Sequence, residues 1–417
     1  MSNKNPFKIT TTPNTETFSF EISAAGKFTI DWGDNNIETI EKTDTNSQII
    51  SYKYDRIGKY IIKLDGKATG YNKETSAIIF KNNKNLEKID GSLGMIFSTL
   101  PNGEQPIFLN TFAYCYNLAG NIPEKLFAGI KGAPAVHMFN NTFSGCSELT
   151  GAIPEKLFAG IKGAPTDSLF AGTFAYCQKM TGNIPEKLFA GIKGAPANYM
   201  FSNTFYQCSK LTGAIPDKLF AGIKGAPADY MFNKTFYQCS KLTGAIPDKL
   251  FAGIKGAPAD SMFSDTFCRC SELNGAIPEK LFAGIKGAPK QHMFFCTFFA
   301  CSNLAGSIPK KLFAGISGKP AQDAFRSTFF GCSKMSGTMN EHGIITDTES
   351  PEPTEKTPLK SIPVADTTMN SLNKIDVIIS GIAPDDLAKI IQSVQKVSND
   401  INIKIAKQVQ ETNQKQY

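Results

Sequence analysis

Acid–base, nucleophilic and metal chemistry all need titratable side chains gathered within a few ångströms, and the sequence offers few sets that qualify. Its three histidines are His137, His292 and His342. The first two lie 155 residues apart and the third stands alone near a Pro-rich stretch, so no Ser-His-Asp or Cys-His arrangement is available. None of the ten cysteines has the spacing of a zinc site, and Cys268-Arg269-Cys270 lacks the two-residue gap of a redox dithiol. The chain is therefore expected to be a non-enzyme with no catalytic residue, no metal ligand and no cofactor. One acidic turn, Asp31-Trp32-Gly33-Asp34, offers either a pair of calcium ligands or two turn-capping acids, and capping is the simpler expectation.

Lysine is the one strong charge signal. It follows Pro-x at 125, 156, 187, 218, 249, 280 and 311, and follows Ile at 131, 162, 193, 224, 255 and 286. Six acids accompany these thirteen lysines (Glu124, Glu155, Glu186, Asp217, Asp248 and Glu279), and the excess equals the whole chain's net charge of +7. Such a stripe can attract acidic glycans, lipid headgroups or nucleic acid, although plain solubility explains it as well.

These positions are periodic. Thr-Phe recurs at 111, 142, 173, 204, 235, 266, 297 and 328, always 31 residues apart and with no insertion. Strict length is the mark of a solenoid coil, because a slip would break the stacking against both neighbours. Leu-Thr-Gly-x-Ile reads as a short strand, closed by a Pro that suits the first turn of a helix. Leu157 and Ile161 then share a face, Gly163 can cap that helix, and Pro165 can open another. In the unit before, Phe139, Phe143 and Cys146 fall on one helical stripe. The spacing predicts a strand, a short helix and a longer helix in each coil.

Of 32 Phe, 23 occupy three fixed repeat positions, so the aromatic excess is expected to be a packing ladder, with no specific nucleic-acid partner. Eight cysteines (115, 146, 177, 208, 239, 270, 301 and 332) share one repeat position and are expected to be reduced, buried core residues. A disulfide would need their Cα atoms about 6 Å apart with the right side-chain direction. Cys268 and Cys296 stand off that position and are the two expected to be exposed.

The phrase Phe143-Ser144-Gly145-Cys146-Ser147-Glu148-Leu149 resembles the bacterial leucine-rich repeats of BspA-like surface proteins. Leu149-Thr150-Gly151-Ala152-Ile153-Pro154 is similar to the LxGxIP phrase of other leucine-rich repeats. The resemblance covers residues 80–338 and implies an α/β repeat solenoid of eight 31-residue units with a role in adhesion. The unit exceeds the usual 20–29 residues and lacks the LxxLxLxxN asparagine ladder, so horseshoe curvature is not implied.

Around the array, residues 7–67 alternate with a period of two, so 1–67 reads as a small antiparallel sandwich, as in Phe18-Ser19-Phe20-Glu21-Ile22. Its acidic turn and Gly58-Lys59-Tyr60 resemble the polycystic-kidney-disease (PKD) type of β-sandwich. Residues 68–107 are expected to be a transition and N-terminal cap, with 85–93 a degenerate copy of the repeat. The solenoid is expected over 108–339, a disordered linker over 340–370 and a C-terminal helical segment over 371–417. In that segment Leu387, Ile390, Val394, Val397 and Ile401 follow 3–4 spacing, so 384–410 can self-associate, dock on a partner or fold back on the array. No apolar run is long enough to span a membrane, and the start MSNKNPFKITTT lacks the apolar stretch of a secretory signal.

Constant positions build a coil, and positions that change from unit to unit are free to recognise something. The pairs 198–199, 202–203 and 206–207 are spaced by four and read as one helix face opposite the Phe stripe. Tyr199, Tyr206, Tyr230, Tyr237, Phe295 and Phe299 are accordingly the expected binding residues. The expected function is a surface-exposed binding or adhesion protein for a protein or glycan ligand, extracellular by a non-standard route or carried on a virion. The alternatives are a phage or prophage tail-associated receptor-binding protein and an intracellular interaction scaffold, for which reduced cysteines would suit the cytoplasm.

Overall fold

A computed structural model describes residues 6–340, 343, 345 and 346. The expected helical segment 371–417 with its 384–410 stripe, almost all of the 340–370 linker, and His342 lie outside the described residues. Residues 355–417, the second of the chain's two units, fall wholly outside them.

The N-terminal part is a sandwich of two sheets. One has the order β4 (Ile37–Lys42), β3 (Ala25–Asp31), β6 (Ile61–Gly70), β1 (Phe7–Thr11) and β8 (Leu86–Asp90). The other runs β5 (Gln48–Gly58), β2 (Thr15–Ile22) and β7 (Ile78–Ile79). All neighbours within these two sheets are antiparallel. Alternation sets which side faces in: Phe18, Phe20 and Ile22 of β2 and Phe28 and Ile30 of β3 are buried, as is Trp32 just beyond β3. The sheets continue past residue 67, because β7 and β8 supply edge strands, and the same segment lies against the first coil of the array. Phe80 N–H donates to Thr111 O at 2.6 Å and the Phe80 ring stacks on Phe112 at 5.5 Å, so sandwich and array share one hydrophobic core.

The array is not the expected α/β solenoid, since no helix occurs among the described residues. The segment expected as the longer helix is a flat ribbon of overlapping turns. In 197–208, Met200, Ser202, Thr204, Tyr206 and Cys208 each donate N–H to the carbonyl three residues back, at 3.0–3.4 Å. Between them, Tyr199, Phe201, Asn203, Phe205 and Gln207 donate to the next coil, at 2.8–3.0 Å. Tyr199, Asn203 and Gln207 hold φ of 56°, 55° and 56°, so every fourth residue is left-handed and reverses the curl before a helix can propagate. Each such residue costs about 1–2 kcal/mol, which hydrogen bonds to the neighbouring coil offset. A four-residue period of turns keeps i and i+4 on one side, as a helix does. That is why the spacing of Phe139 and Phe143 predicted a helix.

The expected short helix is likewise three successive turns, closed by Leu219 N–H to Pro216 O, Ala221 to Lys218 and Ile223 to Phe220 at 3.0–3.2 Å. Gly222 lies against the coil before it: a Cβ there would stand 2.1 Å from the Ile192 carbonyl oxygen, so no other residue fits. The expected Leu-Thr-Gly-x-Ile strand is reduced to single parallel bridges such as Gly120↔Leu149. Among the described residues of the array, longer pairing occurs only at its end, where β9 (Ala305–Ser307) runs parallel to β10 (Lys334–Ser336) and β11 (Thr338–Met339) pairs antiparallel with β12 (Ile345–Thr346).

Three columns of Phe fill the array. Phe170 stacks on Phe201 and Phe174 on Phe205, both at 5.8 Å, while Phe158 and Phe189, 6.3 Å apart, wedge against the first of these columns. Between the rings run two polar ladders that satisfy buried carbonyls. Thr204 Oγ1 donates to Phe170 O at 3.0 Å, and Cys208 Sγ donates to Phe174 O at 3.0 Å. All ten cysteines are free thiols, and burial pushes the Cys208 thiol up to about 12. Cys268, expected to be exposed, is buried, and Cys296 is half-buried.

Candidate ligand-binding face

The second residue of each variable pair is the left-handed one; of these pairs Asn198 and Tyr199 are exposed, Asn203, Tyr206 and Gln207 are half-buried and Ser202 is buried. Over coils contributing 140–144, 168–176 and 199–206 they frame an open trough of about 420 Å³. Its floor is small, made of Ser168, Ala171, Gly172 and Ala175. Its walls are Tyr114, Tyr176, Tyr199 and Tyr206, with the amides of Asn140, Asn141 and Asn203 between them and Lys234 the one charged group in the lining.

The small residues are what allow the larger ones to lie flat. Gly145 sits beneath the Tyr114 ring, where a Cβ would meet the ring at 2.6 Å. Stacking fixes the walls: Tyr206 meets Tyr176 edge-on at 5.0 Å and lies face to face with Tyr237 at 4.7 Å. Tyr199 lies flat on Tyr230 at 4.6 Å. Burial, with Tyr176 and Tyr237 alongside, pushes the Tyr206 phenol well above the ordinary tyrosine range, and burial raises Tyr237 to about 12. These phenols therefore stay neutral hydrogen-bonding groups.

The expected binding residues thus separate into two places. Tyr199 and Tyr206 line the trough, and Tyr230 and Tyr237 stack behind them on the next coil. Phe295 and Phe299 lie three coils on from Tyr199 and Tyr206, Phe295 against His292 at 5.5 Å and Phe299 stacked on Phe330 at 5.3 Å. Tyr114 and Tyr176, 37% and 41% exposed, belong to the trough and were not among the expected residues. Their signal was present in the sequence: both occupy the position before the repeated Cys, where other coils carry Gly145 and Gln207.

The other groups weighed for chemistry have structural partners. Asp31 accepts from Lys63 Nζ at 2.7 Å and from Gly33 N–H at 2.9 Å, and the lysine holds its carboxyl below the usual range. Asp34 accepts from Tyr52 Oη at 2.7 Å and from Asn36 N–H at 3.1 Å, so both acids brace the turn. Among the described residues no group of three or more His, Cys, Asp or Glu is placed to hold a metal ion. His292 lies 3.6 Å from Asp323, five coils from His137. Among the described residues no helix is long and apolar enough to cross a membrane.

No protein-family model, curated protein or solved structure matches the chain. What the trough can do follows from its lining. Aromatic faces pack against the C–H faces of a pyranose ring, and planar amides pair with vicinal hydroxyls through one donor and one acceptor each.

Proposed function

We propose that the protein is a non-enzymatic binding protein for adhesion at a cell surface, and that its ribbon face holds a neutral glycan. The trough carries this conclusion: four tyrosines and three asparagines around a floor of Ser, Ala and Gly, with a single lysine at the rim. Protein hot spots centre on Trp, Tyr or Arg seated in fully desolvated pockets, whereas the tyrosines here border an open trough and alternate with hydroxyls and amides that can pair with sugar hydroxyls. The likeness of the Phe143–Leu149 phrase to BspA-like surface repeats supports presentation at a surface. The ten free thiols would also suit an intracellular scaffold, but most are sealed in the core with raised pKa, where the redox state of the compartment has little access to them.

The test is retention of the full chain on immobilised neutral oligosaccharides. Tyr176→Ser combined with Tyr206→Ser should weaken binding by about tenfold or more, since each removes an aromatic contact worth roughly 1 kcal/mol, with the melting temperature nearly unchanged. Equal retention of wild type and double variant would contradict the assignment of the trough, and a panel that retains neither would contradict the glycan.

A further inference from the structure

A second edge of the array carries charge that the trough does not use. Between neighbouring coils the two lysine rows flank a groove of about 700 Å³, with Lys156 and Lys187 in one row, Lys162 and Lys193 in the other, and Glu155 the one acid in the lining. Ala159, Ala190 and glycine backbone form its floor. One coil on, the same groove repeats at about 690 Å³ between Lys187, Lys218, Lys193 and Lys224.

Most lysines on this edge have no carboxylate within ion-pair distance among the described residues. Among the described residues Lys218 alone of the thirteen lies within reach of a carboxylate, Glu186 at 3.7 Å, although an acid precedes almost every member of one row. Elsewhere the array does pair charges between coils: Lys179 meets Glu148 at 2.6 Å, and Lys241 bridges to Glu272. Coils joined backbone to backbone stand about 4.8 Å apart, so the Ile-Lys row, which has no acid beside it, is a line of like charges at roughly that spacing and repels itself, while acids offset part of the charge in the other row. A polymer with one negative group per monomer would relieve that repulsion along its whole length.

We propose that this edge binds a linear acidic polysaccharide, its sugar rings on the Ala–Gly floor and its carboxylates between the lysine rows. The floor is smooth and apolar enough for a ring face, and no aromatic side chain lines either groove to stack a nucleic-acid base. No large apolar side chain projects there to enter a lipid surface. The edge shares no lining residue with the trough, so it stands whatever the trough binds.

The experiment measures binding of the full chain to polygalacturonate, with dextran, single-stranded DNA and anionic phospholipid vesicles as the other arms. Two variants remove the same charge: Lys187→Gln, Lys193→Gln, Lys218→Gln and Lys224→Gln in the groove, and Lys67→Gln, Lys73→Gln, Lys81→Gln and Lys88→Gln on the exposed sandwich surface. The groove variant should lose about tenfold or more in affinity for polygalacturonate, the sandwich variant about twofold or less, and both should melt with the wild type. Affinity should rise as the polymer lengthens from a few sugars to several coils' worth. Equal losses in the two variants would reduce the edge to general charge attraction. DNA or vesicles bound as tightly as polygalacturonate, or no binding to polygalacturonate, would overturn the polysaccharide.

Discussion

On the ribbon face one variable position reads His137, Ser168, Tyr199, Tyr230, Ser261, His292 and Asp323 in successive coils, while one row of the lysine edge reads Lys from 125 through 311 without exception. Both faces hang from the same Phe columns, so the core constrains neither choice. Variation concentrates tyrosines and asparagines over a few coils and makes one local site. Constancy repeats one half-site along the array and makes a surface with no natural end. A local site is saturated by a short ligand, whereas a periodic one gains affinity with ligand length.

The largest expected effect comes from breaking what the two faces share. Phe170 packs on Phe139, Phe158, Phe189 and Phe201, and Phe170→Ala should cost about 3–5 kcal/mol in denaturant unfolding. Because each coil is held mainly by its neighbours, both binding activities should weaken together. A cost below about 1 kcal/mol would mean that the columns do not couple the coils.

A smaller effect should separate the faces. Raising salt from about 50 mM to about 0.5 M should weaken polygalacturonate binding by roughly tenfold or more and leave glycan binding at the trough within about twofold. The trough should also be insensitive to pH between about 5 and 9. The raised pKa of Tyr206, and of Tyr237 stacked behind it, keeps these phenols neutral to higher pH than an ordinary tyrosine.

What the sequence made legible follows the same division. The 31-residue period and the Phe columns could be read because identical residues recur at identical spacing. The coil's backbone could not, because turns of period four and helices of period 3.6 place Phe139 and Phe143 on one side alike. The distinction lies in where Phe201 N–H goes, to Met231 O in the next coil instead of four residues back, and no side-chain pattern reports that. The repeated Gly at 160, 191 and 222, which lowered the helix propensity of the segment, was the one local hint of close backbone approach. In the sandwich, alternation marked β2, β3 and β6, but β7 and β8 are short and drawn from the cap, where residues also answer to the first coil. For the trough, unit-to-unit variation pointed to Tyr199 and Tyr206. It passed over Tyr114 and Tyr176, which belong to the coils whose neighbouring positions are Gly and Ala, and small residues do not draw the eye to a floor.

The smallest expected effect tests the polar ladder beneath both faces. Thr204→Val removes the hydroxyl that donates to Phe170 O but leaves that carbonyl its bond from Thr173 N–H, so the loss should be about 1 kcal/mol with both binding activities intact. A much larger cost would give the ladder a greater share of the coil's stability than the Phe columns leave for it.

The separation of the two faces is tested most directly by one crossed measurement. Wild type, the Tyr176→Ser/Tyr206→Ser variant and the four-lysine groove variant would each be titrated with a neutral oligosaccharide that the wild type retains and with polygalacturonate. Each variant should lose about tenfold or more for one ligand and stay within about twofold for the other. Loss of both ligands in either folded variant would contradict two independent sites on one core.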